Sequence, residues 1–279
     1  MSKVISAAKI RDAVSVLALK ANFILRKDVL MALRRAYRQE HNRNAKGILS
    51  AIIENARIAE KERLAICQDT GLVSVFVRLG QEARIVGDLN EAINKGIELG
   101  YRRGYLRNSV VNDQLLRGRP GYQPAAIHIE MAKGERVALT VMPKGFGCEN
   151  KTQLKMFNPT APVSEIKSFI VLAVKDAGPD ACPPYIVGVG LGGTADQSLL
   201  LARKALLRDI RKRSPAAHIR KLERELLKEI NRLGIGPMGL GGKATALAVN
   251  IQSLPTHIAG LPVAVSISCH ALRTASLIL

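Results

Sequence analysis

The chain has 279 residues, 47% of them hydrophobic, which is enough to bury a sizeable core and excludes a disordered protein. Lysine and arginine outnumber aspartate and glutamate by 42 to 23, a formal net charge of +19. That charge attracts anionic partners, but with no aromatic stacking platform or nucleic-acid motif it does not indicate RNA or DNA binding. Tryptophan is absent, so leucine, isoleucine, valine and alanine must fill the core. Charges at Lys3, Lys9, Arg11, Asp12 and Lys20 break up the start, and no stretch reaches the roughly 18 apolar residues of a membrane span. A cytoplasmic protein without signal peptide or membrane anchor is expected.

The first sixty residues read as helices. Ile10, Val14, Leu17 and Leu19 form one apolar stripe, Val29, Leu30, Leu33 and Tyr37 a second with Asp28 placed to cap it, and Ile48, Ile52, Ile53 and Ile58 a third. Alternation at Val73, Val75, Val77 and Leu79 then predicts a strand, followed by a helix from about 89 to 101 and a polar connection through Gly121. Ile127, Ile129 and Met131, turned by Lys133-Gly134-Glu135 onto Val137, Leu139 and Val141, predict an antiparallel hairpin. A helix opens at Pro162 and Ser164 and closes at Gly178. Residues 185–191 form a short apolar strand, and Thr194 with Gln197 makes a capping box for the next helix. A basic helix runs from about 216 to 233, where Glu223, Glu225 and Glu229 alternate with Lys221, Arg224 and Lys228 as on a solvated face. Strands at 247–251 and 263–268 complete the chain. The mixture lacks a strict βαβ rhythm. It predicts an α+β fold in a single domain over 1–279, with a largely helical N-terminal part and functional loops at strand ends.

Two glycine-rich stretches imitate nucleotide sites. Gly188-Val189-Gly190-Leu191-Gly192-Gly193 has dinucleotide-binding spacing, but basic helices follow it and no strand with an acidic ribose ligand does. The turn itself still suits an anion, through backbone N–H groups at a helix start. Gly242-Lys243 resembles a phosphate loop, but Pro237 stands where its first glycine belongs and Ala244 replaces the magnesium-binding hydroxyl.

Cys67, Cys148, Cys182 and Cys269 lie far apart in sequence, and in a cytosolic chain disulfides are not expected. Cys67 stands at the entry to a strand, Cys182 before the 185–191 strand, and Cys269 at the end of the last strand. Thiols at strand ends can converge, and soft thiolates select iron–sulfur clusters, zinc or copper. The flanking residues narrow this. Cys67-Gln68-Asp69-Thr70-Gly71, the run 145–151 (Gly-Phe-Gly-Cys-Glu-Asn-Lys), the run 182–190 from Cys182-Pro183-Pro184, and the run 234–242 around Pro237-Met238-Gly239 resemble motifs of the class I fumarases. The run 256–262, Thr-His-Ile-Ala-Gly-Leu-Pro, and Cys269-His270-Ala271 complete the set. The resemblance spans about residues 30–275 in family order. It is nearest the α subunit of two-subunit fumarases and of L-tartrate dehydratase.

The resemblance implies a hydro-lyase of the tricarboxylic acid cycle. Cys67, Cys182 and Cys269 would ligate a [4Fe–4S] cluster, leaving one iron open as Lewis acid for reversible hydration of fumarate to L-malate. It further implies that Gln68 and Asp69 meet the substrate, Asp69 taking part in proton transfer. Arg107 would clamp a carboxylate through its bidentate fork, and His257 would bind the other carboxylate or carry a proton. Gly147, in the 145–151 loop, would offer its backbone N–H. Cys148 replaces the commoner serine of that loop. The family's second domain is absent from this sequence, so a β subunit is expected to complete the active site in a heteromer of α2β2 type. The alternatives are an L-tartrate dehydratase α subunit, a basic scaffold or nucleic-acid-binding protein with structural cysteines, and a zinc site.

Overall fold

In the computed structural model, residues 4–279 are described, and the fold is α+β. Its elements in chain order are β1 (Val4–Ser6), α1 (Ala7–Phe23), α2 (Lys27–Gln39), α3 (Arg43–Glu62), β2 (Leu72–Gly80), β3 (Arg84–Val86), α4 (Leu89–Arg103), β4 (Ala126–Ala132), β5 (Val137–Lys144) and α5 (Phe146–Glu149). There follow β6 (Gln153–Phe157), α6 (Val163–Ala177), β7 (Tyr185–Leu191), α7 (Ala195–Ala205), α8 (Ala217–Asn231), β8 (Ala246–Ser253), β9 (Leu261–Ser268) and β10 (Ala275–Ile278). The chain divides into two compact units. One holds the residues up to Leu25, Asn55–Phe146 and Arg273–Leu279; the other holds Arg26–Glu54 and Gly147–Leu272.

The first unit is built on a four-stranded sheet ordered β10-β5-β2-β4. Helix α1 turns Ile10, Val14, Leu17, Ala18 and Ala21 onto this core, with Val73, Val75, Val77, Leu139 and Val141 facing it from the strands. Ser6 caps α1 by accepting from the Lys9 N–H, and Asp88 caps α4 by accepting from Glu91. The expected hairpin does not form. β2 lies between the two strands, parallel to β4 and antiparallel to β5. The reason is burial: Val73 through Val77 are all buried, so β2 demands neighbours on both edges, whereas β4 is mostly half-exposed and suits the sheet margin.

The second unit holds the sheet β6-β9-β7-β8, with α6, α7 and α8 covering it. The glycines of the imitation dinucleotide motif serve this packing. A Cβ on Gly188 would lie 2.2 Å from the Ala202 carbonyl oxygen, and one on Gly190 2.0 Å from that of Ser198. They let α7 rest directly on β7. Nor is the turn an anion site: Gly192 N–H donates to Pro262, Gly193 N–H to Pro255 and Thr194 N–H to Gln197 Oε1. The imitation phosphate loop is closed likewise, because the Lys243 N–H donates to buried Glu40 at 2.7 Å. Glu40 also accepts from His41 and Asn42. These bonds and the charge of Lys243 hold its carboxyl below the usual range despite burial.

Two further expectations yield to tertiary contacts. Asp28 does not cap α2; it lies inside the first turn, held by the Arg26 guanidinium, and accepts from the Ile210 N–H at 2.9 Å. Glu223 is not on a solvated face. It is fully buried, pairs with Arg208, and accepts from the N–H groups of Ser214 and Ile251. Removing one partner of a buried ion pair strands the other. Glu223→Gln is therefore expected to cost about 3–5 kcal/mol, read as a lowered midpoint in urea unfolding, whereas Glu225→Gln, at a half-exposed ion pair with Lys167, should move it little.

Candidate active site

The residues singled out by sequence fall into two groups. In the first unit, Cys67, Gln68 and Asp69 occupy the turn that leads into β2, and hydrogen bonds hold this turn at both ends. The Ile66 N–H donates to the Asn22 carbonyl and the Ile66 carbonyl accepts from Asn55 Nδ2, both at 2.9 Å. Asp69 closes the turn with its own carboxylate: Oδ1 accepts from Gly71 N–H at 2.9 Å, and Oδ2 from Phe146 N–H at 2.8 Å. Gly71 sits at φ +74°, with the Lys144 backbone 2.6 Å from where a Cβ would be, so only glycine fits. The Thr70 carbonyl accepts from the buried Tyr101 hydroxyl at 2.7 Å. Burial pushes that phenol up to about 12, keeping it a neutral donor. Thr70 Oγ1 donates to the Arg107 carbonyl at 2.8 Å, tying the segment that carries Arg107 to the same turn. Arg107 itself is exposed, and its guanidinium makes no hydrogen bond among the described residues, so it is available to an anion. Gln68 is exposed, with Oε1 3.7 Å from the Cys67 sulfur.

In the second unit, Cys182 precedes β7 and Cys269 follows β9. These strands are antiparallel neighbours, so both thiols stand at one end of the sheet. Their loops are joined. His270 Nδ1 lies 3.1 Å from the Cys182 carbonyl, a contact that requires the proton on Nδ1. The Cys148 sulfur accepts from the Cys269 N–H at 3.1 Å and donates to the Ala181 carbonyl at 3.4 Å. Cys182 is held at φ +56°, a conformation that costs a non-glycine residue roughly 1–2 kcal/mol. Strain of that kind persists where surrounding contacts impose it, and it gathers at functional sites. Cys148 is buried, whereas Cys67, Cys182 and Cys269 are each part-exposed, and none of the four is in a disulfide. Three thiols are thus accessible, and the fourth braces the loops of two of them. Gly147 lies exposed beside Cys148.

His257 is not brought to these thiols. It lies in the β8–β9 connection, where Thr256 Oγ1 donates to the carbonyls of Gly193 and Gly260, at the opposite end of β7. Along eight-residue β9 that is a separation of roughly 25 Å. Its Nδ1 accepts from the Ala259 N–H, so Nε2 carries the proton and faces outward as a donor. Among the described residues, no group of three or more His, Cys, Asp or Glu side chains is gathered as ligands of a single metal ion. Sequence reasoning missed Asn22, Tyr101 and Arg273, which hold the Cys67 turn from beneath. Arg273, the one charged side chain in the stretch 271–279 just past Cys269-His270, was the one available signal.

Comparison with known proteins places the chain in a family. A family described as fumarate hydratase (Fumerase) matches residues 11–278. A protein of Methanocaldococcus jannaschii named putative L(+)-tartrate dehydratase subunit alpha is 40% identical over 274 residues, covering 96% of each chain. The L(+)-tartrate dehydratase subunit alpha of Escherichia coli K12 is 29% identical over 255 residues, 90% of this chain and 84% of its own. The chain belongs to the fumarate hydratase family. It is a hydro-lyase. No helix among the described residues is long and apolar enough to cross a membrane.

Proposed function

We propose that the chain is the α subunit of a class I fumarate hydratase, catalysing reversible hydration of fumarate to L-malate in the cytoplasm with a [4Fe–4S] cluster held by Cys67, Cys182 and Cys269. The observation that carries this reading is the distinction among the four cysteines: three are accessible on turns fixed by hydrogen bonds, and the fourth is buried as a brace. That donor set fits a cube better than a single ion, since a cube takes each thiolate on its own iron and does not require them to converge on one point. When bound, such a cluster supplies a Lewis-acidic iron for the substrate hydroxyl and an adjacent carboxylate.

The chain's own residues then orient and exchange protons. Arg107, exposed and unengaged, pairs with a substrate carboxylate. Gln68 and the Gly147 N–H donate to the dianion, and Asp69, held by two backbone N–H groups, takes part in proton transfer from a fixed position. His257 is too far from the thiols of its own unit to share their ligand. Its part in substrate binding or proton transfer rests on the family resemblance alone. A β subunit completes the site. Support comes from the relatives' designation as alpha subunits and from the segment around Arg107, where Tyr105, Leu115 and Leu116 are 98%, 91% and 85% exposed. Large apolar side chains gathered in one loop suit a surface that a partner covers. With both subunits present, residues 1–279 act as one catalytic domain.

A second reading, dehydration of L(+)-tartrate, is favoured by the names of the relatives. Turnover of fumarate and of tartrate by the anaerobically reconstituted α and β chains separates the two. The expected result is that α alone is inactive and the pair prefers fumarate. Preference for tartrate reassigns the substrate, and robust hydration of fumarate by α alone removes the need for a partner.

A further inference from the structure

We infer that Arg273 is a positioning residue, a buried cation that fixes the Cys67–Gly71 turn and so places the first thiol and the Asp69 carboxylate. Its bearing on catalysis rests on the activity proposed above. Arg273 is only 2% exposed, and no carboxylate of the described residues forms an ion pair with it. A guanidinium has five donors and no acceptor, and burying it is expensive unless those donors are used. An apolar side chain of similar volume would fill the same space at lower cost, so the charge itself needs a reason.

The reason lies in where its bonds go. Nη1 donates to the Asp69 carbonyl at 2.8 Å and to Asn22 Oδ1 at 3.3 Å. Asn22 is oriented for this by donating Nδ2 to the Ala18 carbonyl at 2.9 Å, and its own carbonyl accepts from Ile66 N–H. Arg273 therefore joins the two ends of the turn through one asparagine on α1. Nη2 comes within 3.6 Å of where a Cβ on Gly145 would stand, and Asp69 Oδ2 lies 2.8 Å from the same point. Gly145 leaves the space that lets guanidinium and carboxylate approach the same backbone. The two charges also act in opposite senses on the buried Tyr101 hydroxyl, which holds the next carbonyl of the turn. Asn55 and Tyr101 hold their carbonyls as neutral donors; Arg273 makes the charge-assisted bond of the set, the stronger kind. Nε of Arg273 has no acceptor among the described residues and is left for an ordered water.

The test uses the full-length chain and needs neither partner nor cluster. Amide hydrogen exchange is followed at Gly71 and Phe146, whose N–H groups the Asp69 carboxylate accepts. In Arg273→Gln these two amides should exchange about tenfold faster or more, because a buried charged bond at the turn has been lost. Arg273→Lys, which keeps the charge and folds more readily, should restore part of the protection. Amides in β2 and β5 should keep wild-type rates. Unchanged exchange at Gly71 and Phe146 in the folded variants overturns the inference. So does uniform acceleration through β2 and β5, which marks a residue that merely stabilises its unit. A second arm follows iron retention under chelator challenge in the holo-chain, where faster loss from Arg273→Lys, with a lowered kcat at little-changed KM in the reconstituted enzyme, is expected. If the wild-type chain binds no iron, the proposed activity fails by itself, and the exchange result still decides the role of Arg273.

Discussion

Serine in place of Cys182 or Cys269 is expected to abolish hydro-lyase turnover, by roughly 10³-fold or more. A metal Lewis acid contributes several kcal/mol to such a transition state, and each ~1.4 kcal/mol is a factor of ten in rate. The fold should tolerate both changes, because each thiol is part-exposed at a strand end and serine is nearly isosteric with cysteine. Cys67→Ser should behave alike. Cys148 separates ligation from bracing. Its sulfur accepts from the Cys269 N–H inside the core, so Cys148→Ala leaves that donor unsatisfied at a cost of about 1–3 kcal/mol. The Cys148 variant should be less stable yet retain iron and measurable activity. Rates for all four variants, beside urea midpoints, check the assignment, and a Cys182 variant with near wild-type turnover would remove that residue from the ligand set.

A comparably large effect on stability is expected from replacing one hydrogen atom. In Gly190→Ala the new methyl would sit 2.0 Å from the Ser198 carbonyl oxygen and 2.8 Å from the Ala202 nitrogen, both backbone atoms of α7. Side chains could rotate away, but a helix must translate, and Val189, Ala202 and Ile251 are already buried around it. Overpacking costs typically 1–3 kcal/mol and more when backbone must move, so the variant is expected to lose more than about 3 kcal/mol and to accumulate as unfolded protein. Gly47, inside α3, has nothing within 4 Å of a built Cβ. Gly47→Ala should instead stabilise by about 0.5–1 kcal/mol through helix propensity. Opposite signs for the two changes in the same urea titration test the packing; equal effects would contradict it.

These contrasts show which parts of the molecule local sequence specifies. β7 lies at 185–191 as the apolar run indicates, and α6 stops at Gly178 as the glycine signal requires. In both, the instruction lies within the segment. The partner of β4 was not legible, because a turn such as Lys133-Gly134-Glu135 permits a hairpin but does not weigh it against the greater burial demand of β2. Short strands β6 and β10 passed unnoticed, since exposed edge positions carry little apolar alternation. Asp28 and Glu223 were read by their own helices, yet their partners, Ile210 N–H and Arg208, lie far along the chain.

The candidate site divides along the same line. Its accessible thiols were legible because family motifs surround each of them. The groups that hold the turns, Asn22, Tyr101 and Arg273 in one unit and Cys148 in the other, are ordinary residues in ordinary surroundings until the fold brings them under a carbonyl or an N–H. His257 shows the converse: its motif is conspicuous, and the strand it precedes carries it away from the thiols of its own unit.

Iron and acid-labile sulfide, measured on chain purified and kept without oxygen, bear most directly on the proposed chemistry. About four iron and four sulfide per chain are expected, falling sharply when Cys182 or Cys269 is replaced by serine. Stoichiometric zinc with no sulfide, unchanged by either replacement, would contradict it.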